Sequence, residues 1–508
     1  MGKGVTMSSE ETPKRKSSLG WILCAAAMVV VFLLGMLAAS INERKAEVAS
    51  IYNNKKIELT QTNAKNGDWG LNYPREYETW KMTEKGDFKS KYNGNDEHDV
   101  LADRPNMVIL WAGYAFSQDY TKPRGHMHAI EDMRRTLRTG APMDGKGEMQ
   151  PGTCWTCKSP DVPRYMAEHG IAEFYAKKWS ELGNEIVNPI GCADCHDAKT
   201  MNLRVSRPAL IEAFKRQGKD INNATQQEMR SLVCAQCHEE YYFKKGTNYL
   251  TFPFDKGQTV EAIEQYYDEQ GFTDYVHKLS KTPILKAQHP GWSMFLQGPH
   301  GQHGVACADC HMPYKAEGGI KYSDHQIMSP LAKISSTCQT CHRESEENLR
   351  NWANENLRKG EEVRTVAEEA LAKDHIMAKA CWDAGATEEE MQPILKLIRQ
   401  SQWRWDYAVA SHGAAFHAPA EFQRIHEPQH REGLSGPGAP PEGHDCPQRQ
   451  LHHARRLHQG KGPGLHRPEH GREEGRQGQV PPDGRPAVGR RSQEGRPPLG
   501  RPTLVPHA

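Results

Sequence analysis

Cys154-Trp155-Thr156-Cys157-Lys158 opens a series of five C-x-x-C elements that decides how this chain folds. The other four pairs are Cys192/Cys195, Cys234/Cys237, Cys307/Cys310 and Cys338/Cys341, each followed at once by a histidine: His196, His238, His311 and His342. C-x-x-C-H is the attachment signature of c-type haem. Its two thiols add to the vinyl groups of one porphyrin, and the adjoining histidine sits under the iron as proximal ligand. One such motif could equally be a zinc half-site or a redox dithiol. Four with histidine directly after the second cysteine point away from zinc, whose ligands are not spaced that way.

Working outward, composition agrees. Ten of the 13 cysteines lie in these pairs, while only 37% of the 508 residues are hydrophobic and 8% aromatic. That is a thin supply of side-chain core, so five covalent haems are expected to fill part of the interior. The expected fold is mainly α, with helices packed around the haems and little sheet. A net charge of +1 gives no basic field for nucleic acid.

Lys14, Arg15 and Lys16 precede an uncharged run over residues 19–41. The run is long enough to cross a bilayer, and its basic flank (1–18) is expected to stay cytoplasmic. It is also long for the core of a signal peptide, so a retained anchor is expected, with a cleaved signal peptide as the alternative. Either places the body on the exported, periplasmic side. Residues 46–425 form the expected haem-bearing domain, with long helices from about 344. Glu346 to Ala380 is rich in helix formers. After Gly385, Thr387 and Glu390 read as a capping box, and Met391, Ile394, Leu395 and Ile398 line one face. From His426 to Ala508 there is no Phe, Trp, Tyr, Ile or Met, and Lys461 is the sole lysine. Such a segment cannot bury a core. Its abrupt start after a helical pattern suggests a gene read out of frame.

The first motif ends in lysine. An amine coordinates iron only when deprotonated, and as a pure σ-donor it changes the electronics of the metal. A haem so ligated, with its other face open, is where a substrate could bind. Four six-coordinate haems would need four distal imidazoles. The candidates are His126, His128, His289, His300, His303, His325, His375, His412 and His417. Spacing does not choose between His126 and His128, or between His412 and His417.

Cys-Trp-Thr-Cys-Lys followed by four C-x-x-C-H motifs resembles the pentahaem cytochrome c nitrite reductases that form ammonium. Trp-Ala-Gly-Tyr (111–114), Pro-Arg-Gly-His (123–126), Thr-Leu-Arg-Thr-Gly-Ala-Pro (136–142), Leu-Lys-Ala-Gln-His-Pro (285–290) and Arg-Trp-Asp-Tyr-Ala-Val-Ala-Ser-His-Gly (404–413) carry the likeness further. It spans roughly 65 to 425. The resemblance implies a catalytic first haem on Lys158, with Arg138, Tyr241 and His289 in its distal pocket. Arg138 and His289 would act there as cations on the nitrite anion. It implies distal ligands His325, His126, His417 and His300 for the second to fifth haems. It also implies one Ca2+ on the Glu240 carboxylate, the Tyr241 and Lys286 carbonyls and the Gln288 side chain, hard oxygen donors suited to that ion. A membrane quinol-oxidising cytochrome would be the electron donor. The family's homodimer is in doubt here, because its C-terminal pattern is lost after about Ile425. The competing readings are a non-catalytic electron conduit, or a reductase of hydroxylamine or sulfite.

Overall fold

Helices carry most of the architecture in the computed structural model. It describes residues 19–53, 55–92, 94–139, 150–317 and 319–426, with backbone alone for 19 and 47–53. The basic segment 1–18 and the Pro/Gly/Arg-rich stretch from 427 lie outside the described residues, and the reading-frame expectation lies there with them.

The apolar run becomes the helix Leu19–Asn53. Its stretch Gly20–Ala46 has a hydropathy of 2.8 and none of it is buried against protein. The helix continues past residue 41 because Glu43, Arg44, Lys45 and Ala46 are good helix formers that extend an existing nucleus cheaply.

Two long helices, Glu346–Asp383 and Glu388–Ala410, follow the last motif. The first begins where the Ser345 side chain accepts from the Asn348 N–H. It ends before Gly385, which takes φ 89° and turns the chain. The second starts with the expected capping box: Thr387 Oγ1 accepts from Glu390 N–H at 3.3 Å, and Glu390 accepts from Thr387 N–H at 2.8 Å. Met391, Leu395, Ile398, Trp403 and Trp405 are buried along it. Trp403 donates to the Val260 carbonyl (3.0 Å), tying this helix to the helix Val260–Glu269.

Strands are confined to three two-stranded antiparallel ladders. Tyr242–Lys244 pairs with Tyr249–Thr251 in register Tyr242↔Thr251, directly after the third motif. Tyr275–Val276 pairs with Pro283–Ile284 and delivers the chain to Lys286–His289. The first motif sits in an aromatic core, where Trp155 stacks on Trp179 at 5.0 Å and donates to its carbonyl. Fully burying an aromatic ring contributes roughly 1.5–3 kcal/mol, so Trp155 anchors the motif that carries Lys158. Gly298 is needed for close approach: a Cβ there would collide with the His417 carbonyl.

Candidate functional site

Each cysteine pair lies on a short helical turn, which aims both sulfurs to one side. In three of the histidine motifs the turn is closed by the histidine N–H donating to the first cysteine carbonyl. These bonds run from His196 to Cys192 (2.9 Å), His238 to Cys234 (2.8 Å) and His342 to Cys338 (2.9 Å). The fourth is the helix Cys307–His311. At the first motif the Lys158 N–H donates instead to the Trp155 carbonyl (2.9 Å), a tighter turn. All ten cysteines line one continuous cavity of about 2050 Å³. The Cys157 thiol lies beside that of Cys237, and the Cys234 thiol beside that of Cys307. The first, third and fourth motifs are therefore neighbours in a row.

The same cavity brings imidazoles opposite one another in four pairs, two tilted and two edge-on. Ring centroids are 6.1 Å apart for His196 and His325, 6.4 Å for His238 and His126, 6.3 Å for His311 and His417, and 6.2 Å for His342 and His300. Two imidazoles on opposite sides of one metal ion, each with a metal–nitrogen bond of about 2 Å, have centroids about 6 Å apart. Every pair fits that spacing. His196, His311 and His325 each donate from Nδ1 to a backbone carbonyl (Met201, Met328 and Ser323, 2.8–2.9 Å), which fixes the tautomer and leaves Nε2 free. Burial pushes the ring of His196 down to about 4 and those of His238 and His417 to about 3, and lowers His126, His300, His311 and His325 as well. All seven are thus neutral, as ligands must be. Among the described residues no group of three or more His, Cys, Asp or Glu converges as a metal cage.

The remaining histidine candidates are otherwise engaged. His128 places Nε2 on the Glu84 carbonyl and Nδ1 by Glu131. His375 bonds Ser280 and Gln402 and stacks on His277 at 3.6 Å. His303 donates to the Pro299 carbonyl. His412 lies edge-on to His289 at 6.2 Å.

Lys158, Arg138, Tyr241 and His289 all line this cavity. The Tyr241 and His289 rings are 6.4 Å apart. The Arg138 guanidinium lies over Phe116 (4.3 Å) and donates from Nε to Thr136 Oγ1 (3.2 Å), so Phe116 and Thr136 aim it. Burial holds the His289 imidazole well below its ordinary value, and its buried Nδ1 has no hydrogen-bond partner among the described residues.

Beside this pocket, Gln288 gathers the proposed calcium donors. Its backbone N–H donates to Glu240 Oε2 (2.6 Å) and its side-chain amide to the Lys286 carbonyl (3.0 Å). Burial raises the Glu240 carboxyl well above the usual range, and raises neighbouring Asp274 to about 7. Two buried carboxyls next to carbonyl and amide oxygens fit a hard divalent cation. Asp274 was not among the sequence candidates; nor was Arg207, whose buried guanidinium reaches the first motif.

A mainly helical chain with these attachment motifs and imidazole pairs around one cavity is built as a multihaem c-type cytochrome. The chain belongs to the Cytochrome c552 family, whose model matches residues 65–432. It is 66% identical to cytochrome c-552 of Parabacteroides distasonis over 412 residues (81% of this chain, 83% of the relative). It is 64% identical to cytochrome c-552 of Porphyromonas gingivalis over 413 residues (81% and 83%). Among solved structures it resembles the cytochrome c nitrite reductase of Desulfovibrio desulfuricans, described with two calcium sites. The TM-score is 0.69 at 31% identity, covering 73% of this chain and 84% of that one.

Proposed function

We propose that this cytochrome reduces nitrite to ammonium, taking up six electrons and eight protons and releasing two waters. The observation that carries the proposal is the break in the pattern. Four imidazole pairs are spaced to saturate four irons, whereas the first motif ends in Lys158, which lines the same cavity as Arg138, Tyr241 and His289. Lys158 would hold the iron of the first of five haems, and the pairs would hold the other four. When bound, the haems supply stored electrons and, at the first, an open coordination position for the anion.

The chain's own groups do the rest. Arg138, braced by Phe116 and Thr136, offers a fixed cation to the nitrite oxygens and stabilises negative charge as N–O bonds weaken. Neutral His289 donates a hydrogen bond at rest. As negative charge builds in the pocket its proton affinity rises, and it can take up and pass on a proton. Tyr241 donates from its hydroxyl; burial raises its pKa well above the ordinary value, so it stays protonated. One Ca2+, held by Glu240, Gln288 and the Tyr241 and Lys286 carbonyls, would neutralise the buried carboxyls and stiffen the segment that carries His289. The helix Leu19–Asn53 would be kept as an anchor on the periplasmic face, near a membrane quinol-oxidising donor.

Purified, haem-loaded protein with reduced viologen should form ammonium from nitrite, and Lys158→His should turn over far more slowly. Full haem loading with no ammonium formed would remove the reading and leave an electron conduit. Faster turnover of hydroxylamine or sulfite than of nitrite would change the substrate.

A further inference from the structure

The four histidine motifs and the lysine motif differ in how their turns are closed, and one buried side chain accounts for the odd one. Arg207 is 1% exposed. Its Nε donates to the Thr156 carbonyl (2.6 Å) and its Nη2 to the Ser159 carbonyl (2.9 Å). These two carbonyls bracket Lys158. The same Nη2 is paired with Asp194 Oδ1 at 2.6 Å, and Nη1 donates to Ser206 Oγ (2.6 Å). Asp194 lies inside the second motif, and its other oxygen accepts from the Gly191 N–H (2.8 Å) at the start of that turn. The backbone N–H of Arg207 donates to Gln236 inside the third motif (3.1 Å), and Gln236 donates back to the Asp194 carbonyl (2.9 Å). Haem attachment uses the cysteines and the residue after them, leaving the inner positions free. Here those inner positions are spent on joining three motifs through one residue, the guanidinium reaching the first two and the backbone N–H the third.

We infer that Arg207 is a positioning residue for Lys158: its fork grips the carbonyls on either side of the lysine and fixes them to the second motif. This rests on the reading that Lys158 is an iron ligand. A lysine side chain has four rotatable bonds and would otherwise hold its amine loosely. A planar fork bonded to two carbonyls and a carboxylate removes the backbone part of that freedom. In three of the histidine motifs the histidine backbone N–H itself closes the turn onto the first cysteine, and the imidazole that follows is rigid. Thr156 and Ser159 are themselves buried. Without Arg207 their carbonyls would lose these partners inside the protein, and the turn would relax away from its present geometry.

Arg207→Gln and Arg207→Lys separate this role from general stability. Three readouts are taken on the full-length, haem-loaded protein: covalent haem number by intact mass, the paramagnetic resonance spectrum, and kcat against KM for nitrite. Arg207→Gln should keep five haems and the signals of the four imidazole-paired irons. The signal of the lysine-bound iron should broaden or shift, and kcat should fall tenfold to a hundredfold, on the order expected for a misplacement near 1 Å. KM should change much less. Arg207→Lys, which keeps the charge beside Asp194 but not the fork, should likewise keep five haems without restoring that signal. Arg230→Gln, which breaks a comparable pair with Asp309 in the fourth motif (2.7 Å), should leave the lysine-bound signal native. An unaltered signal and kcat in Arg207→Gln would overturn the inference. If that variant fails to load haem, an unaltered signal in Arg207→Lys would do the same. A wild-type protein with no lysine-bound iron signal at all would instead sink the functional reading on which the inference rests.

Discussion

Removing the charge of Asp406 should destabilise the protein by about 2–4 kcal/mol and loosen the segment that carries His289. The Lys286 ammonium is 2.9 Å from Asp406 Oδ1, and the two side chains are 2% and 0% exposed. Asp406 Oδ2 also accepts from the Ala287 N–H (3.2 Å), so one carboxylate pins two successive residues of the Lys286–His289 strip to the helix Glu388–Ala410. Breaking a buried pair by removing one partner costs about 3–5 kcal/mol, because the other charge stays buried and unpaired. Part is recovered here. The Lys286 ammonium lies 4.8 Å from the Trp111 ring centre and 5.0 Å from that of Phe116, and cation–π contact gives back roughly 0.5–2 kcal/mol. Asp406→Asn keeps shape and one hydrogen bond, which makes it the cleaner perturbation. Guanidinium unfolding of the haem-loaded protein, followed by circular dichroism, reads the loss. Adding Lys286→Met should return much of it, since a paired apolar replacement leaves no orphan charge. An Asp406→Asn variant within about 0.5 kcal/mol of native would refute the reasoning, that being the scale of an ordinary exposed pair.

Further outcomes follow from the same geometry. His325→Ala should retain five covalent haems but convert one low-spin iron to high-spin, because only the partner of His196 is lost; an unchanged spectrum would separate His325 from that iron. Chelating calcium should lower nitrite turnover, with recovery on adding Ca2+ but not Mg2+, whose octahedral demand suits carbonyl donors poorly; the same insensitivity in native and Glu240→Gln protein would remove the site. Burial pushes the Asp324 carboxyl up, but Lys333 (2.6 Å), the Gln326 N–H and Lys315 more than offset it and leave it below the ordinary 3.8. A depressed carboxylate contributes stability that is present above the unfolded value and is lost as pH falls through the folded one. Asp324→Asn should therefore lower stability at neutral pH and flatten the acid limb below about pH 4; an unaltered acid limb would count against the pairing.

The sequence was most informative where chemistry is local. Cysteine spacing, the residue after each pair and the Thr387–Glu390 cap are all set within a few positions, and each reads directly. Distal imidazoles are another matter, because they arrive from remote segments. His126 and His128 are indistinguishable by spacing, and only the fold shows His128 engaged by the Glu84 carbonyl while His126 faces His238. The likeness to a family proposed Arg138, Tyr241 and His289 as companions of Lys158, and all four line the one cavity. Arg207 was missed for a physical reason. In Val205-Ser206-Arg207-Pro208 it reads as an ordinary residue before a helix that starts with proline. Its meaning comes from three motifs meeting at this residue, two at its guanidinium and one at its backbone N–H. Phe116 likewise reads as core until Arg138 is found lying on it.

An anomalous-scattering map at the iron edge, from crystals of the haem-loaded protein, tests the central claim most directly. Five iron peaks are expected. Four should lie between the rings of His196/His325, His238/His126, His311/His417 and His342/His300, and the fifth beside the Lys158 amine with its other face toward Arg138, Tyr241 and His289. A first iron bound by two imidazoles, or no iron at Cys154/Cys157, would contradict the account.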